Sequence, residues 1–300
     1  MEWEKAPVRN RIKRMEGLDC IIFVFLTALV VVTIWPLLYV VSVSISTPQA
    51  VNAGKVYLYP VGFTTAAYKL VFTHEYIPTA YLNTLLYTLG GTAYSLFITI
   101  CGAYAISRKW LAGRSFIMLM FAFVMLFNGG LIPTYLLISR LGLINNRLVM
   151  ILPSATNLWN MIIMRTVMQE IPDNIEESAK IDGANDLVIL SRIYVPMSKA
   201  VIATIGLFYG VANWNGWFAA FIYLRKKALW PVQLILREML LQFTDQTLNR
   251  NTILSGDDFL ITALGFRCAT IVVVMVPLLC VYPFIQRYFI KGVMIGAIKG

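Results

Sequence analysis

Apolar residues along this chain fall into six long blocks, near residues 20–44, 79–107, 115–138, 148–164, 200–223 and 261–285. A bilayer core needs about 20 apolar residues in a helix, so each block reads as a membrane span. The first block is about 25 residues long, too long for a signal-peptide core, and follows a basic segment over 1–19. Residues 45–78 carry Pro48, Gly54, Pro60, Gly62 and Pro78, which predicts an ordered loop with a short helix near Ala66 to Phe72. The third block contains Asn128-Gly129-Gly130-Leu131-Ile132-Pro133, so its helix should be broken or kinked. The fourth contains Pro153. The outer loop 224–260 holds an amphipathic stretch, Trp230 to Phe243, suited to lying on the membrane or facing a protein.

One polar island stands out between the fourth and fifth blocks, in a loop over 166–198. It runs from Glu170 to Asn185 and continues to Pro196. Asp173 is placed to cap a helix, with Glu176 at capping-box spacing. Ile175 and Ala179 share one face of that helix, and Glu176 and Lys180 another. Gly183 breaks it. Asn185 or Asp186 then starts a second helix with Leu187, Leu190 and Ile193 as its apolar face, until Pro196 stops it. Small residues at Ser178, Ala179, Gly183 and Ala184 let a partner approach, and Glu176, Glu177, Asp182 and Asp186 offer it four carboxylates.

Composition agrees with a membrane protein: 300 residues are 59% hydrophobic and 13% charged, against about 25% charged in globular domains. The net charge of +10 is spread over the loops, which argues against nucleic-acid binding. With six spans, fifteen Lys and Arg fall on the side of the termini and nine on the other, with Arg267 inside the last span. That places both termini and the polar island in the cytoplasm. Cys20, Cys101, Cys268 and Cys280 form no CxxC pair and read as free thiols. A single histidine, His74, rules out most zinc and Ser-His schemes, and no phosphate-binding GxxxxGK[ST] loop is present.

The spacing Glu177-Ser178-Ala179, three residues, Gly183, nine residues, Ile193-Tyr194-Val195-Pro196 resembles the EAA motif of ABC importer permeases. Ser178 and Val195 depart mildly from the family's Ala and Leu. Ile181-Asp182-Gly183-Ala184-Asn185, Trp214-Asn215-Gly216-Trp217, the Phe127 to Pro133 string and the tail 286–300 resemble the carbohydrate branch, in particular maltose-type second permeases and their polysaccharide and aldouronate relatives.

The resemblance implies an all-α membrane protein with six transmembrane helices, the type I ABC importer transmembrane fold and both termini cytoplasmic. A basic amino-terminal segment 1–19 would precede a first transmembrane helix 20–44 and an extracytoplasmic loop 45–78. The transmembrane core 79–285 would include the coupling loop 166–198 and the outer loop 224–260, and a cytoplasmic tail 286–300 would follow. The chain itself would carry no cofactor and no catalysis, ATP and Mg being held by the partner ATPase. Partners would be a second permease subunit in a heterodimer, two cytoplasmic ABC ATPase subunits and an extracytoplasmic solute-binding protein, in a bacterial inner membrane. By the same resemblance, Glu177, Ser178, Ala179, Asp182, Gly183, Ile193 and Pro196 would form the ATPase-coupling site. Glu177 would meet an arginine of the ATPase, and Gly183 would permit the bend.

Polar side chains inside the spans are Asn83, Asn128, Asn157, Asn160, Asn213 and Asn215. They serve interhelical hydrogen bonding or, for Asn83, Asn128, Asn213, Trp214, Asn215 and Trp217, line a sugar pathway. Arg225, Lys226 and Lys227 would suit an acidic oligosaccharide or an acidic binding protein. The expected function is therefore import of a carbohydrate, an oligosaccharide, by alternating access. The alternatives are a permease for a non-sugar solute and a stand-alone secondary transporter. The latter is disfavoured because every acid lies at or outside predicted span ends. A membrane-embedded enzyme lacks a convergent catalytic set.

Overall fold

A computed structural model describes residues 17–73, 75–127, 129–248 and 264–280. The basic segment up to residue 16, His74, Asn128, residues 249–263, the end of the sixth block at 281–285 and the tail 286–300 lie outside the described residues. The described chain is helical, with one isolated antiparallel bridge between Ser46 and Phe63. The helices are α1 Gly17–Ser44, α2 Pro48–Asn52, α3 Ala66–Thr73, α4 Ile77–Ser107, α5 Arg114–Leu126, α6 Leu131–Arg140 and α7 Leu158–Gln169. They continue with α8 Asp173–Ile181, α9 Asp186–Ile189, α10 Val195–Met197, α11 Lys199–Trp214, α12 Phe218–Tyr223 and α13 Val232–Leu248. The last is α14, Leu264–Cys280.

By length and composition, α4 and the Cys20–Ser44 part of α1 can each cross a bilayer. Two bent pairs approach the same length: α5 with α6, bent by 113°, and the Asp186–Met197 segment with α11, bent by 85°. Gly130 marks the first bend with φ +86, a conformation that L side chains rarely adopt.

The long helix α4 is central. α11 and α7 lie against it, and glycines allow the approach. A Cβ on Gly91 would stand 2.8 Å from Asn213 Nδ2, and one on Gly206 would stand 3.2 Å from Leu96. Thr99 and Tyr209 hydroxyls bond across the same seam at 2.7 Å, and the Tyr209 hydroxyl also accepts from Asn157 N at 3.2 Å. In an apolar surround such bonds fix register where hydrophobic contact alone does not.

Two expectations about the apolar blocks need correction. The fourth block is not one helix. Arg147–Met150 is a 3-10 turn, and α7 begins only at Leu158, with Asn157 Oδ1 accepting from Asn160 N at 3.1 Å. Pro153 has no N–H with which to continue a helix through that stretch. The fifth block stops at Trp214, where Asn215 N still reaches Val211 O and Gly216 N turns to Asn213 O, and restarts at Phe218.

The amphipathic stretch at Trp230–Phe243 packs its apolar face within this chain. As α13 it buries Val232, Ile235, Leu236 and Met239 against Ala67, Val71, Ile77, Phe266 and Val273 of this chain. The physical reason lies at the amino-terminal end of α4, which captures the backbone leading into α13. Asn83 Nδ2 donates to Ala228 O and Trp230 O, the Tyr87 hydroxyl donates to Leu229 O, and Thr84 Oγ1 accepts from Val232 N at 2.8 Å.

Replacing Gly91 with Leu should separate α4 from α11 and destabilise the protein by about 1–3 kcal/mol, as overpacking does. Gly91→Ala needs only a small movement of the Asn213 side chain. Thermal unfolding of the purified membrane protein should therefore show a clear loss for the Leu variant and little for the Ala variant.

Candidate functional site

The polar island folds as two short helices at the end of α4. α8 begins at Asp173, but Asp173 is not its cap. Pro172 holds that position, without a side-chain cap. Asp173 is the first helical residue, and its carboxylate takes a hydrogen bond from Lys109 Nζ at 2.5 Å. That bond, helped by the Lys109 and Arg108 charges, holds its pKa below the ordinary 3.8. An acid in the first turn also suits the positive end of the helix dipole.

α8 ends in a Schellman motif: Ala184 N donates to Ala179 O and Gly183 N to Lys180 O, both at 3.0 Å. The motif needs a left-handed residue at its turn, and Gly183 supplies φ +81, with open space around the position of a Cβ. The second helix starts at α9, where Asn185 Oδ1 accepts from Val188 N at 2.9 Å. It widens into a π-turn at Leu190–Tyr194 and runs on through α10. Pro196 sits inside α10, and the chain turns only after Met197. The buried face of this second helix is Ile189, Leu190 and Tyr194, with Ile193 packed beside them. Leu187, expected on that face, is 75% exposed. The π-turn rotates the later residues relative to the earlier ones, so a uniform 3.6-residue period misplaces Leu187.

The centre of the site is an ion pair shut away from water. Glu176 is 6% exposed and Arg108, just past the end of α4, is 5% exposed. Arg108 Nη1 donates to Glu176 Oε2 and to the Tyr194 hydroxyl, and that hydroxyl in turn donates to Glu176 Oε2 at 3.0 Å. The rest of the guanidinium reaches Ser107 Oγ at 2.9 and 3.1 Å and lies against the rings of Tyr104 and Tyr194, which meet edge to face. Lys180 Nζ meets the other oxygen of Glu176 at 2.7 Å and faces the Trp110 ring. Glu176 is therefore not one of the carboxylates free for a partner, because Arg108 of the same chain already neutralises it.

This pairing sorts the motif residues into two sets. Ile175, Glu176, Ala179 and Ile193 pack inward, in or against the cluster of Met164, Met168, Ile189 and Tyr194. Glu177, Ser178, Asp182, Gly183 and Pro196 face outward. Ile181, 87% exposed, and Leu187, 75% exposed, belong with the outward set.

The candidate pathway residues do not gather into one site. Asn83 is buried and its amide is spent on the carbonyls of Ala228 and Trp230, so it is a structural clamp. Asn213 fills the α4–α11 seam beside Thr92, and Trp214 is buried. Asn215 and Trp217 lie at the break between α11 and α12, where Gln233 Nε2 reaches Asn215 Oδ1 at 3.4 Å. Lys227 is paired with Glu238 at 2.5 Å, whereas the side chains of Arg225 and Lys226 are exposed and their backbone N–H groups bond Asn145 Oδ1. Sequence reasoning missed Arg108 and Tyr194. The only signal was a basic residue directly after an apolar block and a tyrosine inside the Ile193 to Pro196 string.

A family model described as a binding-protein-dependent transport system inner membrane component matches residues 110–295. The chain is 39% identical over 282 residues to the polygalacturonan/rhamnogalacturonan transport system permease protein YtcP of Bacillus subtilis (strain 168), covering 94% of this chain and 98% of that one. It is 38% identical over 276 residues to protein LplC of the same organism, covering 92% of each. Among solved structures it resembles a bacterial ABC transporter involved in the import of the acidic polysaccharide alginate. That likeness has 34% identity and a TM-score of 0.83, and covers 95% of this chain and all of that one.

Glu176→Ala should strand a buried guanidinium and cost about 3–5 kcal/mol, while a paired Arg108→Met, Glu176→Met variant should recover most of that loss. A double-mutant cycle on thermal unfolding reads the coupling. The Lys109–Asp173 contact behaves differently. Because its carboxylate titrates below 3.8 in the fold, its contribution is present above the unfolded value and lost only as pH falls through the folded one. The contact should persist unchanged from about pH 8 to about pH 5. Carboxyl-carbon NMR of labelled aspartate should show no titration of Asp173 in that window.

Proposed function

We infer the function from one premise: the chain belongs to the family of binding-protein-dependent transport system inner membrane components, and it is the permease subunit of an ATP-driven importer for a carbohydrate. It is a transport subunit, not an enzyme. The observation that carries the sugar reading is the near-full-length identity to a polygalacturonan and rhamnogalacturonan permease, supported by the likeness to an importer of an acidic polysaccharide. All three polymers named for these relatives contain uronic acids, so an acidic oligosaccharide is the substrate class we assign.

The chain crosses the membrane six times, several crossings being built from broken helices, with the polar island in the cytoplasm. It pairs with a second permease. Two cytoplasmic ATPases hold ATP and Mg and grip the outward set of the polar island. A loaded binding protein docks on the opposite side, over the loop held by Asn83, Thr84 and Tyr87. Alternating access follows if ATPase closure moves the two island helices together with α4. What supports this coupling role is the division of labour between adjacent glutamates. Glu176 is tied to Arg108 within the chain, which leaves the exposed Glu177 to meet a guanidinium on the ATPase.

In proteoliposomes holding the assembled transporter, binding protein loaded with a uronate oligosaccharide should stimulate ATP hydrolysis. Stimulation by a non-sugar solute alone would replace the carbohydrate reading. Glu177→Lys should leave the subunit inserted and folded but bring stimulated hydrolysis and uptake down to the unstimulated level. Uptake at the normal rate would remove Glu177 from coupling. Gly183→Val should strain the left-handed turn by about 1–2 kcal/mol and weaken co-purification of the ATPase.

A further inference from the structure

The break between α11 and α12 exposes polar backbone in the middle of an apolar segment. Such a break survives at membrane depth only inside protein or beside a water-filled cavity. Here Asn215 is exposed and Trp217 only half-buried within the chain. One turn of α13 faces this break. Arg237 stacks on Trp217, its guanidinium carbon 3.6 Å from the ring centroid and 6.0 Å from that of Phe221. Gln233, one turn earlier on the same helix, reaches Asn215. Arg237 is solvent-exposed, and among the described residues it has no carboxylate partner. Lys227 and Glu238, close in sequence, pair with each other instead.

This set has the chemistry of a uronate receptor. A guanidinium held flat on an indole keeps its donor edge free for a carboxylate, and the stack fixes the plane that bidentate binding needs. The two amides, at Asn215 and Gln233, supply donors and acceptors for ring hydroxyls, and the aromatic edge of Trp217 with Phe221 offers apolar surface to a sugar face. We propose that Arg237, positioned by Trp217 and flanked by Asn215 and Gln233, forms a subsite on the permease that binds the carboxylate of an acidic sugar during its transfer. The proposal rests on the reading of this chain as an acidic-oligosaccharide importer and adds the residue that would recognise the acid.

The test compares uptake of trigalacturonate and of its carboxyl-reduced trisaccharide by proteoliposomes holding the full transporter and excess binding protein. Arg237→Gln keeps a flat amide over Trp217 but removes the charge. It should cut trigalacturonate uptake about tenfold, the size of one lost charge-assisted hydrogen bond, with less than a twofold change for the reduced sugar and undiminished recovery of the complex. Arg237→Lys should fall between, having charge without the fork. Equal losses for both sugars, or a fall in complex recovery, would overturn the proposal and make Arg237 a structural or lipid-headgroup anchor. Normal trigalacturonate uptake by Arg237→Gln would also overturn it while leaving the importer reading intact. A wild-type transporter that moves no acidic sugar would fail one step earlier, at the proposed substrate class.

Discussion

Arg108 and Glu176 form a charge pair that water cannot reach, and the arrangement of the polar island follows from it. Removing both charges from water costs more than most apolar packing would, so the pair gains little stability over a hydrophobic substitute. What it fixes is position. The guanidinium has one place where a carboxylate oxygen, the Tyr194 hydroxyl and Ser107 Oγ converge. Each comes from a different segment: α8, the π-turn and the end of α4. Shifting any one of them strands a buried polar group, so the three segments move together or not at all.

Rigidity at that end has a counterpart at the other. Asn83, Thr84 and Tyr87 hold the backbone from Ala228 to Val232, and the Asn145 side chain holds the N–H groups of Arg225 and Lys226. α4 thus runs without interruption from the clamped 225–232 segment at its amino-terminal end to the clamped polar-island turn at its carboxyl-terminal end. α7 and α11 are seated on it through glycine contacts and the Thr99–Tyr209 bond. The polar island and the 225–232 loop are thus tied to opposite ends of one continuous helix.

Much of this was legible in the sequence, and what was not has a common cause. The glycine turn at Gly183 and the Asn185 cap are local, and local chemistry suffices to place them. The α5–α6 break is equally local, because Gly129, Gly130 and Pro133 announce it. The roles of Glu176 and Glu177 were beyond such reasoning. The two residues are identical and adjacent, and only Arg108, 68 positions away in sequence, decides which one turns inward. Asp173 has the right spacing for a cap, but Lys109 draws its carboxylate elsewhere. The amphipathic pattern of α13 identified an apolar face without saying that α3, α4 and α14 would cover it. Asn83 looked like a polar residue available to a solute, because nothing near it in sequence reveals that the Ala228 carbonyl needs its amide.

The remaining apolar surface follows from the same division. α5 buries no residue in this chain, and α1 is exposed along nearly all of its apolar length. In water such faces would drive aggregation. In a bilayer they are the natural perimeter of a subunit whose fixed body is α4, α7 and α11. Among the described residues, charged and polar groups cluster at the two ends of that body and at the break at Asn215, while the Thr99–Tyr209 and Asn213–Thr92 bonds hold the seam between them. A subunit that passes a polar solute across lipid needs that layout: polar groups at both ends and an interruption between them where the solute meets something other than lipid. The concentration of polar groups at these three places, and the apolar surface elsewhere, is the physical reason that one rigid helix can serve all of them.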